Sequence, residues 1–155
     1  MPKKYLYKVM YTVLYRLHRK YCRFFRPYVQ GSYVLCLYKN QALLIKNSYK
    51  RYWTLPCGGI AKDESPLEAA IREVEEEVGL FLDPEQLQFV QKIISQEDYK
   101  EDHIHLFVYR FRHKPSVRID YKEVEDFVWV DKKLLAQYPV FKPIEPFIKS
   151  YLVND

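Results

Sequence analysis

An α+β or mixed α/β fold, with a mixed-sheet sandwich as one form of it, follows from three features of the sequence. Apolar runs of strand length fall within residues 32–47, 87–111 and 126–130, helix-period segments lie between and beside them, and no regular βαβ alternation joins the two. A doubly wound parallel sheet is therefore disfavoured. Of the 155 residues 48% are hydrophobic and 29% charged, which fits one ordinary globular domain rather than a disordered chain or a membrane protein.

Residues 1–30 read as a basic amphipathic helix preceding a domain at 31–155. Leu6, Val9, Met10, Val13, Leu14, Leu17 and Tyr21 recur at helical spacing, and Pro27 supplies the stop. Lys3, Lys4, Lys8, Arg16, Arg19, Lys20, Arg23 and Arg26 make the segment basic, and residues 1–26 contain no Asp or Glu. The stripe is expected to pack on the domain or on a second subunit. The competing roles are contact with an anionic membrane surface or with nucleic acid phosphates. No apolar run reaches transmembrane length, and Cys22, Cys36 and Cys57 form no C-x-x-C pair, so a reducing, cytoplasmic setting is expected, with peripheral membrane attachment as the variant.

From Ser32 the runs "YVLCLY" and "ALLIK", separated by Lys39, Asn40 and Gln41, predict a two-stranded hairpin. A short third strand is expected at "YWTLP". Further strands are expected at "LQFVQKII", "HIHLFVYRF" and "DFVWV", and a closing helix in "PIEPFIKSYL".

Between these strands lies the helix that carries the chemistry. Ser65 suits the cap, Pro66 the first helical position, Glu68 the second half of a capping box, and Gly79 the stop. Leu67, Ala70, Ile71, Val74 and Val78 form one buried stripe, with Glu73, Glu76 and Glu77 along one flank and Glu68 and Glu75 on the other. Carboxylates crowded in the last turns oppose both the macrodipole and each other. A bare "EEE" is ordinarily a solvated face, but oxygen donors on one flank also suit Mg²⁺ or Mn²⁺. Arg72, one turn from both Glu68 and Glu76, can hold a carboxylate in one rotamer.

The spacing around these acids is specific. Gly58, five residues, Glu64, seven residues, Arg72-Glu73-Val74, one residue, Glu76-Glu77, one residue and Gly79-Leu80 fill every fixed position of the Nudix box. On these residues the chain resembles the Nudix hydrolases. The resemblance implies an α/β/α sandwich around a mixed β-sheet, with the basic helix as an N-terminal addition. It further implies metal-dependent hydrolysis of a pyrophosphate bond in a nucleoside diphosphate linked to another moiety: a nucleotide sugar, a nucleoside triphosphate or a dinucleotide. A capped or triphosphorylated RNA end is a further candidate, suggested by the basic N-terminus. The alternative is a nucleotide-sensing or regulatory module without turnover.

Carried onto this chain, the resemblance makes Glu73, Glu76 and Glu77 metal ligands, with Glu64 outer or bridging, Cys57 contributing its backbone carbonyl, and Arg72 orienting the carboxylates. The general base is Glu73 or an acid outside the box, with Glu123 preferred over Glu125, Asp126 and the acids of "QEDYKED". Three positions depart from the frequent pattern: Cys57 replaces a glycine, Ala61 a glutamate and Asp63 a glycine. A positive φ at Cys57 would be costly.

Other candidates carry blander readings. Cys57 as a reactive thiol lacks a neighbouring His in sequence; His103 and His105 share a strand face but suit packing as well as metal. Tyr49, Tyr52 and Trp53 could stack on a base, and Lys46, Lys50 and Arg51 could meet phosphate.

Overall fold

The computed structural model describes residues 3–153, with side chains from residue 5 onward. Met1 and Pro2 of the expected helix, the side chains of Lys3 and Lys4, and Asn154 and Asp155 of the expected domain lie outside the described residues. Helix α1 (Lys3–Phe25) leads into strand β1 (Tyr28–Tyr38), followed by β2 (Gln41–Asn47), β3 (Cys57–Gly59) and helix α2 (Pro66–Val78). Strands β4 (Gln88–Ser95), β5 (Glu101–Phe111) and β6 (Val124–Val130) come next, then the short α3 (Lys132–Leu135) and α4 (Glu145–Tyr151).

The sheet runs β4-β5-β1-β2-β6, with β3 paired to β1. It is mixed because β1 pairs parallel with β5 but antiparallel with β2 and β3. Period-two alternation sends Leu35, Leu37, Leu44 and Leu106 to one face, where they meet Ile144 and Ile148, and Val34, Cys36, Leu43 and Phe107 to the other, where they meet Ala70, Val74 and Val78 of α2. Covering both faces explains why "VLCL" is continuously apolar. The result is the α/β/α sandwich that the resemblance implied.

Several boundaries differ from the sequence reading. β1 begins at Tyr28, ahead of the expected 30/31 boundary, because β5 offers partners back to Glu101. "YWTLP" forms only isolated bridges, Ile45 with Thr54 and Trp53 with Val140, and the pairing strand is Cys57–Gly59 instead. Helix α3, capped by Asp131, was not anticipated; four residues carry too little periodicity to read.

The largest difference concerns α1. Its stripe does not pack on the domain. Leu6, Val9, Met10, Val13, Leu14 and Leu17 are all exposed, and the opposite face docks instead. Tyr11 donates to Glu123 at 2.9 Å, Tyr15 donates to Asp98 at 2.7 Å, and Lys8 and Arg19 pair with Glu125 and Asp98. The Tyr11 and Tyr15 rings lie against Tyr49, and Cys22 is buried. Hydroxyls and cations that reach acids of the domain outweigh the bare stripe in choosing the docked face.

Candidate active site

The site is built where α2 crosses the β3 loop. The expected capping box forms: Ser65 Oγ accepts from the Glu68 amide, and Glu68 accepts from the Ser65 amide. At the other end Gly79 adopts φ 65° and donates to Glu75 O, the left-handed close that glycine favours. Between these ends Val74 and Val78 are fully buried, so the helix cannot roll and its acidic flank is fixed.

That flank faces a cavity of about 260 Å³ lined by Glu73, Glu76, Glu77, Asp120 and Glu123. The structure thus brings together Glu73, Glu76 and Glu77 with the outside acid Glu123. Asp120 was missed; it stands in the turn before β6, and no motif marks it. Glu125 and Asp126 do not line the cavity: Glu125 pairs with Lys8 and Asp126 accepts from the Phe127 amide.

Each box glutamate has a different environment. Glu73 lies against Gly58 so closely that a Cβ at that position would overlap its carboxyl group. Gly58 is therefore a cradle for this carboxylate. Burial raises the Glu73 carboxyl, and Glu76 and Glu123 add to the rise, partly opposed by Arg72. Glu77 is only 5% exposed, accepts from the Cys57 amide at 2.8 Å and from Asn47 Nδ2 at 3.2 Å, and is pushed by burial to about 8. Glu76 is the open one, its side chain 61% exposed.

Arg72 knots the loop to the helix. Its guanidinium donates to both Glu64 oxygens at 2.7 and 2.9 Å, to Glu73 at 2.6 Å, to Glu76 at 3.3 Å and to Gly59 O at 3.0 Å. It does not reach Glu68, whose carboxylate is taken by the cap. Glu64 is held down to about 2, first by Arg72 and then by the Ala61 amide, and is not among the cavity-lining residues. Both its oxygens are engaged by Arg72.

Cys57 has an ordinary extended backbone, paired opposite Tyr33, and carries no positive φ. The replacement of glycine is accordingly tolerated there. Asp63 does adopt φ 63°, which explains why glycine is frequent at that position and why Asp, among non-glycine residues, serves. Burial pushes the Cys57 thiol to about 12, so it is no thiolate nucleophile. His103 bonds Glu101 and packs on Tyr28, while His105 packs on Phe89; neither ring lies among the cavity acids.

A second cavity of about 390 Å³ continues from Glu73, Glu77 and Glu123 to Lys50, Tyr49, Tyr33 and Asp102, and α1 walls it with Tyr15 and His18. Lys50 thus supplies a cation beside the carboxylates. Tyr52 and Trp53 pack instead on Phe141 and Tyr138.

Whether the acids suit a divalent cation can be tested on their chemistry. The donors are all carboxylate oxygens, two of them burdened by burial in a way that a cation would relieve. Among the described residues no three His, Cys, Asp or Glu side chains form a ready cage, since Arg72 holds Glu73 and Glu76. The donor set fits, and Glu76, the exposed member, is tied only by its 3.3 Å contact with Arg72.

The family model for the NUDIX domain matches residues 27–151. The chain belongs to the Nudix family. Helix α1 precedes the matched residues. Over 129 residues it is 31% identical to the m7GpppN-mRNA hydrolase of Saccharomyces cerevisiae (strain ATCC 204508 / S288c), covering 82% of this chain but 13% of that protein. Over 68 residues it is 40% identical to the RNA pyrophosphohydrolase of Marinomonas sp. (strain MWYL1), covering 44% of this chain and 40% of that one. This chain therefore spans less than half the length of either relative. Among solved structures, the C. elegans Ap4A hydrolase in a binary complex superposes with a TM-score of 0.68 at 19% identity, covering 79% of this chain and 94% of that one, which shows the shared fold.

Proposed function

We propose that this Nudix hydrolase cleaves a pyrophosphate bond in a nucleoside diphosphate linked to another moiety, using Mg²⁺ or Mn²⁺. The observation that carries the reading is the convergence of Glu73, Glu76, Glu77 and Glu123 on one cavity, with Glu73 seated on Gly58. Of the substrate classes, the 5′ end of RNA, capped or triphosphorylated, is favoured over nucleotide sugars, free triphosphates and dinucleotides. The names of the yeast and Marinomonas relatives support it.

The roles we propose draw on these positions. When bound, a divalent cation neutralises diphosphate oxygens and acidifies water. Glu73, Glu76 and Glu77 would hold it, with the Cys57 backbone beside them. Arg72 limits the rotamers of Glu73 and Glu76, and Glu64 keeps Arg72 in register. Glu123, which lines the same cavity, accepts the proton of the attacking water. Its carboxylate is oriented by the Tyr11 hydroxyl. Lys50 meets phosphate oxygens further along the cavity.

A second reading, a nucleotide sensor without turnover, is favoured by the way Arg72 occupies Glu73 and Glu76. Product release should therefore be measured from 5′-triphosphorylated RNA, capped RNA, nucleoside triphosphates, nucleotide sugars and dinucleoside polyphosphates, with Mg²⁺, Mn²⁺ or chelator. Cation-dependent release from RNA alone supports the favoured substrate. Preference for a nucleotide sugar overturns that choice, and tight nucleotide binding with no release from any substrate gives the site to the sensor.

A further inference from the structure

The outward face of α1 has no counterpart in the hydrolase reading. At about 100° per residue, Val13 points about 180° away from Cys22, the residue most deeply buried against the domain. Around Val13 the stripe is continuous from Leu6 through Leu17 (58% exposed), and beyond Lys20 it resumes at Phe24 (82% exposed). So long a contiguous apolar surface on a soluble face marks an interaction site. The inward face is already engaged through Tyr11, Tyr15, Arg19 and Lys8, so the stripe cannot turn to the domain without breaking those bonds.

Charge identifies the occupant. Arg16, Lys20 and Arg23 follow at steps of four and three residues and all three are exposed; Arg16 and Arg23 border the stripe on one side, and Lys20 stands within it, about 20° from Val13. A second copy of α1 fits poorly: residues 1–26 hold no Asp or Glu, so paired helices would bring cation against cation with no counter-charge. Nucleic acid phosphates would satisfy the row but leave Leu6, Val9, Val13 and Leu17 in water. A bilayer surface with anionic headgroups satisfies both, since the stripe enters the headgroup and acyl boundary while the basic row extends to phosphate. No helix among the described residues is long and apolar enough to cross a membrane, so the contact lies in the interface plane.

We propose that α1 seats this protein on an anionic lipid surface through its outward apolar face and the Arg16, Lys20 and Arg23 row. The face opposite remains the wall of the active-site cavity.

The test is co-sedimentation of the full chain with vesicles of phosphatidylcholine alone or mixed with phosphatidylglycerol. Binding is expected to the mixed vesicles, weakening as salt is raised, with little to phosphatidylcholine. Arg16→Glu with Lys20→Glu should weaken it about thirtyfold or more. Val13→Asp with Leu17→Asp should abolish it, and circular dichroism checks that both double variants keep the fold. Absence of binding to the mixed vesicles overturns the proposal, as does binding that survives Val13→Asp with Leu17→Asp. A dimer in analytical ultracentrifugation that this apolar-face variant dissolves, without lipid binding by the parent, assigns the face to a second copy instead. RNA binding that depends on the basic row alone, again without lipid binding, assigns the row to nucleic acid.

Discussion

Helices α1 and α2 are both amphipathic, yet they are mounted in opposite senses. In α2 the apolar stripe of Val74 and Val78 is buried and the charged flank looks into a cavity; in α1 the polar face is docked and the apolar stripe looks outward. The difference teaches that periodicity gives a helix a stripe without saying which way it faces. Neighbours decide that. The sheet offers α2 an apolar surface of Val34, Cys36 and Leu43, whereas the rim beside α1 offers Glu123, Glu125 and Asp98, which select hydroxyls and cations.

The comparison sharpens first on the acidic flank. Glu76→Gln should lower turnover by about 100-fold or more, beyond what loss of an outer-sphere partner costs, while the thermal midpoint holds or rises as repulsion is relieved. Steady-state kinetics across Mg²⁺ concentrations would check it, and an unchanged rate with unchanged cation dependence would remove Glu76 from the site. Gly58→Ala should act alike by displacing the Glu73 carboxylate from its seat, with the fold retained.

Glu77 gives the buried side a pH signature. Its carboxyl, raised by burial from 4.5 to about 8, holds a proton in the folded chain that the unfolded chain releases. That stabilising contribution is complete below about 4.5 and disappears as pH rises through about 8. With chelator present, the thermal midpoint should therefore fall across this window, and Glu77→Gln should flatten the slope. A midpoint that climbs toward pH 8 in the parent would contradict the sign.

Smaller effects separate the two stripes directly. Val74→Ala in α2 should cost about 2 kcal/mol through lost burial and a cavity, whereas Leu17→Ala in α1 should stay within about 0.5 kcal/mol. Equal costs in urea unfolding would mean that α1 is not mounted stripe-outward. Ser65→Ala, which removes one half of the capping box, lies between them at about 1 kcal/mol.

Local rules carried the reading of α2. The cap at Ser65, the stop at Gly79 and the stripe all depend on residues within two or three turns of each other, and spacing along the chain fixes them. The hairpin β1–β2 was legible for the same reason, as runs of two-sided burial, and strands β4 to β6 as short apolar runs, although β4 is mostly exposed. Where pairing partners are distant, the reading failed. "YWTLP" has strand composition but finds only single bridges, while Cys57–Gly59 has little strand character and pairs because β1 leaves an edge open at Tyr33. Asp120 and Asn47 reach the carboxylates from loops and strands that no motif connects to α2.

By itself, then, the sequence determined the family, the acidic flank and the helix that presents it, because these rest on short-range spacing and side-chain chemistry. Only the tertiary structure decided that Glu64 pairs with Arg72 outside the cavity lining, that Glu123 completes the cavity under a tyrosine from α1, and that the α1 stripe faces outward. Each of these depends on which groups, far apart in the chain, the packing brings within hydrogen-bond reach, and no one-dimensional pattern encodes that distance.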